Sequence, residues 1–343
     1  MQASAEVGVE SRVFQGCRVV GAFTLGVAIV IEIFTLIFGG ASPHSVLIAV
    51  AASPVGMSAF VIFALMATSE QRTVVFRLVL AAVAAVFATL LIAGLPAMNA
   101  AGAAGACIPG TVFGYLIFRI MRTKSAERAA AVDLLAATSI IGVAALSMIF
   151  FLDLSTKYFN PIFDAEYIRI DELFGAQPSA IVAILFDYVR PLMFVCLAVY
   201  FLLPMAQAVV AAFEARDPVR HPGLGILPGF IIAAVLGYIC YALMPAVGPA
   251  VYLAPDFPML NIGVDYLAGR SNIDLEVGHL RGAMPSLHIT WAALVYLASR
   301  RMHFYVRAAA AVFLLLTFLA TLGLGMHYLI DLIVAVPLIV AVR

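Results

Sequence analysis

The chain has 343 residues, 64% hydrophobic and only 11% charged, with a formal net charge of zero. That composition excludes an ordinary soluble domain and places the chain among polytopic membrane proteins. The neutral balance gives no basis for a nucleic-acid partner. Arginine outnumbers lysine seventeen to two and alanine is abundant, a usage that points toward a GC-rich bacterial genome.

Residues 1–16 carry Glu6, Glu10 and Arg12 and lead into an apolar run long enough to span a bilayer, so a cleaved signal peptide is not expected. Apolar runs near 18–40, 46–68, 76–98, 103–120, 134–152, 180–212, 225–247, 286–299, 308–323 and 327–342 read as ten transmembrane helices in an all-α bundle. The sixth contains Pro191 and Pro204 and is expected to kink or lie partly at the interface. Gly102, Ala106, Gly110 and Gly114 recur every fourth position, a stripe for close helix packing. The basic loop MRTKSAER, 121–128, reads as a solvated turn and as the boundary between two blocks of helices. Cys17, Cys107, Cys196 and Cys240 sit in or beside apolar runs, at spacings that suit neither zinc nor a disulfide framework, and read as packing residues.

Basic side chains fall in alternate connections: Arg72 and Arg77, then Arg119 to Arg128, Arg216 and Arg220, and Arg300 to Arg307. The other connections are uncharged or mostly acidic, as in 153–172 with Asp153, Asp164, Glu166, Asp171 and Glu172. The positive-inside rule then places both termini in the cytoplasm and the loop 248–285 on the outer side. A bacterial inner membrane, with the periplasm outside, is the expected location.

Three polar segments gather at the outer ends of the C-terminal runs. The first is YALMPAVGPAVY, 241–252, where Pro245, Gly248 and Pro249 break the helix and Tyr241 and Tyr252 suit an interface or a ligand contact. The second is RGAMPSLHITW, 281–291. Pro285 suits a helix start, Ser286 is either a cap or part of an anion site, and His288 can move a proton. The third is GMHYLID, 325–331, in which His327 and Asp331 are four apart. A carboxylate at that spacing can fix the imidazole tautomer and leave the second ring nitrogen free to attack, or form a plain structural pair. Asp331 lies in an apolar run, where a charge is expensive and marks function or a partner. Asp187 and Arg190 in the sixth run are expected to pair with each other, with a reach of either into the site as the alternative; Glu32 has no evident partner, and His44, His221, His279 and His303 receive no role.

At these segments the chain resembles the type-2 phosphatidic acid phosphatase superfamily, and most of all its inositol phosphorylceramide synthase-like branch. The matching residues are MPAVGPAVY, AMPSLHITWA and TLGLGMHYLIDL, in the family's order. The resemblance implies a six-helix catalytic core over residues 131–343, preceded by a four-helix region over 1–130. It implies His327 as the nucleophile forming a phosphohistidine, Asp331 as its orienting group, and His288 as the acid and base. Ser286 would help hold the phosphate, and no metal or other cofactor is implied. Three family cations are missing: Tyr241 and Gly248-Pro249 stand at the places of a Lys and an Arg-Pro pair, and Ala320-Thr321 stands at a Ser-Arg pair. Arg281 and Arg270 are the nearest substitutes in sequence, and Tyr241, Gly248, Pro249 and Tyr252 are expected around the substrate.

The leading expectation is therefore a membrane phosphotransferase acting on a lipid-linked phosphate ester, passing a head group to a lipid or sugar hydroxyl. With water as acceptor the same site is a lipid phosphate phosphatase. A transporter or flippase without chemistry is the competing class, compatible with ten spans and intramembrane charges, and an inactive homologue is a third.

Overall fold

The computed structural model describes residues 53–92, 97–158, 162–216, 225–254, 257 and 281–343. The first expected span, Cys17, Glu32, His44, His221, His279 and Arg270 lie outside them. Among the described residues every regular element is a helix. In chain order these are α1 (Pro54–Met66), α2 (Ser69–Ile92), α3 (Ala97–Arg122), α4 (Ser125–Tyr158), α5 (Asp164–Glu172) and α6 (Pro178–Tyr188). There follow α7 (Arg190–Arg216), α8 (Ile226–Leu243), α9 (Pro249–Tyr252), α10 (Leu287–Ser299), α11 (Phe304–Gly323) and α12 (Leu329–Val342).

Local sequence explains the breaks. Ser53 caps α1 by accepting from Val55 N–H at 3.2 Å, with Pro54 at the first helical position. Thr68 and Gln71 form a reciprocal capping box at the start of α2, with distances of 2.9 and 3.3 Å. The basic loop is a two-residue break at Thr123 and Lys124, bridged by an exposed Arg119–Glu127 pair at 3.1 Å. The expected sixth span divides into α6 and α7 at Val189. Pro191 has no N–H to donate and crowds the carbonyl four residues back, which favours the break just before it. Pro204, in contrast, is carried inside α7.

Four described segments are long and apolar enough to cross a membrane: Ala126–Met148, Arg190–Ala215, Ile226–Leu243 and Phe304–Gly323. They point to an integral membrane protein. The apolar helices α1, α6, α10 and α12 are shorter. At 1.5 Å per residue, the 13 residues of α10 reach roughly 20 Å, against about 30 Å of hydrocarbon. Ile181, Ile184, Phe194, Phe201, Val336 and Val340 are exposed on α6, α7 and α12, the outward apolar surface that lipid rather than water tolerates.

The chain divides into two compact units, one within Met1–Ser147 and Pro204–Ile231, the other within Met148–Leu203 and Ile232–Arg343. In the first, α3 packs on α1 and α2 around Phe63, Val75, Val79, Val112 and Leu116, with Phe63 edge-on to Tyr115 at 5.9 Å. In the second, α11 packs on α6 and α10, and α10 on α12. Its cores join Phe186, Met193 and Cys196 with Ala320, and Ile289 and Leu322 with Leu332 and Ala335. The short, polar α5 packs against α9 and the start of α12, within this second unit.

Candidate active site

Main-chain hydrogen bonds draw the three polar segments together. Ala283 N–H donates to Ala246 at 3.1 Å, Ser286 N–H to Asp331 at 3.1 Å and Ala250 N–H to Gly325 at 2.9 Å. His327 N–H donates to Thr321, also at 3.1 Å. Gly248 and Gly325 both have positive φ, 93° and 65°, which glycine adopts without strain. A Cβ on Gly248 would stand 2.7 Å from the Met326 carbonyl oxygen, so the first segment reaches the third only as glycine.

A cavity of about 200 Å³ opens beside this junction. His288, His327, Tyr200, Tyr241 and Trp291 line it, with Leu152, Leu287 and Met326 among the apolar walls. The two imidazole centroids are 6.3 Å apart, so the histidines that sequence placed at one depth also face each other laterally. His327 is 3% exposed. Its Nδ1 lies 2.7 Å from the Ala283 carbonyl oxygen and 3.4 Å from Asp331 Oδ2. A carbonyl only accepts, so Nδ1 carries the hydrogen and the lone pair of the neutral ring is on Nε2.

This differs from the expected pairing in one respect. His327 precedes α12 rather than sharing a face with Asp331, and its short hydrogen bond goes to the main chain. Asp331 is the third residue of α12; its Oδ2 accepts from Tyr328 N–H at 2.8 Å and thereby caps the helix. Among the described residues no group donates to its Oδ1. The carboxylate is thus a buried counter-charge beside Nδ1 rather than its principal acceptor.

His288 stands in the first turn of α10 with its ring stacked on Tyr200, centroids 3.8 Å apart and planes 14° from parallel. Tyr200, on α7, was not anticipated; it lies far from the motifs, and a tyrosine in an apolar run carries no distinguishing pattern. Ser286 is fully buried and caps α10 by accepting from Ile289 N–H at 3.4 Å. It does not line the cavity. Arg281 is 1% exposed and does not line the cavity. Arg270 lies outside the described residues.

From the first segment, Tyr241 and Val247 line the cavity, whereas Gly248, Pro249 and Tyr252, expected around the substrate, do not. The reason is visible in the backbone: Gly248 is turned against Met326, and Pro249 and Tyr252 belong to the one-turn helix α9. Asp187 and Arg190 pair at 3.5 Å on the exposed surface and do not reach the cavity, as expected for a mutual pair.

Two further carboxylates stand behind the site. Asp164 Oδ1 accepts from Gly248 N–H at 2.9 Å, Val247 N–H at 3.1 Å and the Tyr328 hydroxyl at 2.8 Å. Asp171 accepts from Leu329 N–H at 2.8 Å and Ile330 N–H at 3.0 Å, one oxygen each. Both are fully buried. Burial pushes both carboxyls above the usual range, and the donated hydrogen bonds pull them back. Sequence reading assigned these acids to an outer loop. The signal was present: Asp164, Tyr167 and Asp171 fall on one helical face, with Glu166, Arg169 and Glu172 exposed between them.

An all-helical membrane protein with facing histidines, one beside a buried aspartate, defines a class to which comparison adds a family. The PAP2 superfamily profile matches residues 165–342, just over half of the chain, and the chain belongs to that superfamily. Membership implies phosphatase- or phosphotransferase-type chemistry on lipid phosphates. No curated protein and no solved structure matches the chain.

Proposed function

We propose that the chain is a membrane phosphotransferase that moves a phospho-head-group between hydroxyls through a phosphohistidine on His327. The observation that carries this reading is the 2.7 Å contact of His327 Nδ1 with the Ala283 carbonyl, which leaves Nε2 as the attacking atom in a cavity shared with His288. Nε2 attacks phosphorus; the P–N bond forms as the ester P–O bond breaks, and His288 gives its proton to the departing alkoxide. The phosphorylated imidazole is cationic, and Asp331, 3.4 Å from Nδ1, offsets that charge. An acceptor hydroxyl then loses its proton to His288 and attacks phosphorus, and the P–N bond breaks.

Ser286, with the start of α10, holds the phosphate oxygens, and Arg281 and Arg270 are the cations proposed to assist. A phosphodiester donor suits the site better than a monoester, because among the described residues no Lys or Arg lines the cavity and a monoanion needs less neutralisation. At about 200 Å³ the cavity is smaller than the roughly 300–1,000 Å³ that encloses a drug-sized ligand, so it admits a head group while the lipid tail stays outside. The first and third segments support the inositol phosphorylceramide synthase-like branch, and the site is proposed to face the outer side of a bacterial inner membrane.

The test uses purified protein and its His327→Ala variant in detergent with EDTA and a native lipid extract, read by mass spectrometry. A new phosphodiester lipid made only by the unaltered protein is expected. Free phosphate with a dephosphorylated lipid would make it a phosphatase, and no change in any lipid would count against enzymatic function.

A further inference from the structure

The helix α5 touches every segment that builds the site, yet none of its residues lines the cavity. Its contacts are specific. Phe163 N–H, just before it, donates to Pro245 at 2.9 Å, and the Tyr167 ring lies 5.8 Å from that of Tyr328. Tyr167 and Tyr328 share one buried cluster with Ala246, Ala283 and Met284.

Two chains of bonds lead from α5 to His327. In the first, Asp164 fixes the amides of Val247 and Gly248; the neighbouring Ala246 carbonyl accepts from Ala283 N–H at 3.1 Å, and the Ala283 carbonyl takes the hydrogen of His327 Nδ1 at 2.7 Å. In the second, Asp171 grips the first amides of α12, two and three residues beyond His327. Together with Asp331 on Tyr328 N–H, it fills the N-terminus of α12 with carboxylates. The start of α12 is therefore occupied by carboxylates of the chain itself.

We propose that Asp164 and Asp171 are positioning residues for His327, holding Nε2 at its attacking distance from a helix that contributes nothing to the cavity wall. The proposal rests on the phosphotransfer reading above. Asparagine at either position keeps one acceptor oxygen but presents an NH₂ group to a main-chain N–H, so the two-point grip is lost while size is kept. A misplacement of about 1 Å at a reacting atom costs up to roughly 10²-fold in rate.

The test compares Asp164→Asn, Asp171→Asn and Asp171→Glu with Glu172→Gln, an exposed carboxylate on the same helix. The full chain in detergent is assayed with bis(4-nitrophenyl) phosphate for kcat and KM. In parallel, the rate at which diethyl pyrocarbonate modifies His327 is followed by peptide mass spectrometry, which needs no turnover. For the two Asn variants kcat is expected to fall roughly 10- to 100-fold with KM within about 3-fold. The rate of His327 modification is expected to shift in the same variants, Asp171→Glu to recover part of the loss, and Glu172→Gln to change nothing. Unchanged kcat and unchanged modification would overturn the proposal. So would a loss that vanishes once activity is scaled to the folded fraction, because the aspartates would then serve stability alone. A wild-type protein inactive on the probe would count against the phosphotransfer reading, and the modification rates would still decide the positional claim.

Discussion

The cavity and the α5 face behind it contain the same chemical group in opposite use. Asp164 and Asp171 are fully buried carboxylates that spend their oxygens on main-chain amides, with one tyrosine hydroxyl on Asp164. Asp331 is equally buried, but one oxygen caps α12 and stands 3.4 Å from an imidazole nitrogen, while the other has no donor among the described residues. A buried carboxylate tied to amides holds backbone in place. One left partly unmet beside an imidazole responds when that imidazole gains positive charge. The difference lies in the donors rather than in burial or residue type.

The sharpest way to break this contrast is to remove the reacting groups. His327→Ala is expected to lower turnover by roughly 10³-fold or more, because it removes the proposed nucleophile while His288, the other imidazole lining the cavity, is assigned to proton transfer. Acid-labile, base-stable labelling of the protein by a radiolabelled donor should disappear with it. Asp331→Asn keeps the shape and the cap acceptor but removes the counter-charge. Its expected loss is on the order of 10²-fold in kcat, read from single-turnover phosphorylation of His327. A loss in Asp331→Asn no larger than in the exposed Glu172→Gln control would remove the charge-offsetting role assigned to Asp331.

A smaller effect is expected at Tyr200. Its stack on His288, at 3.8 Å, fixes the plane of the imidazole that moves the proton. Tyr200→Phe should retain that surface and most activity, whereas Tyr200→Leu should lower kcat about 10-fold. The pH–rate profile of the leucine variant should shift on the limb assigned to His288. A profile unchanged in shape would reduce Tyr200 to packing.

How much of this was legible follows from where each group's meaning comes from. His288, His327 and Asp331 were readable because polar residues in apolar runs are costly and their spacing is local. Asp187 and Arg190 were readable as a pair for the same local reason, three residues apart on one helix. The role of the Ala283 carbonyl was not, since a main-chain acceptor 44 residues from its histidine leaves no trace in residue type. Asp164 and Asp171 were visible but assigned to the outer loop, because charge counted along a connection gives sidedness and says nothing of burial. The division at Val189 was half legible: Pro191 and Pro204 signal interruption equally, yet only the first ends a helix.

The gentlest tests concern capping and the outer surface. Ser286 closes α10 through its hydroxyl at 3.4 Å from Ile289 N–H. Ser286→Ala is expected to cost about 1 kcal/mol of stability, seen as a lower thermal midpoint in detergent. If Ser286 also donates to phosphate, KM for the donor rises in the same variant; if it is only a cap, KM stays put while the midpoint falls. Arg190→Gln breaks a pair whose side chains are 55% and 42% exposed, and the expected change is within about 0.5 kcal/mol. A larger loss there would mean that the exposed pair bears on the fold in a way its geometry does not account for. Placed beside Asp171→Asn, it separates two acids by their donors: one set against a mobile guanidinium in solvent, the other against amides that cannot move without moving His327.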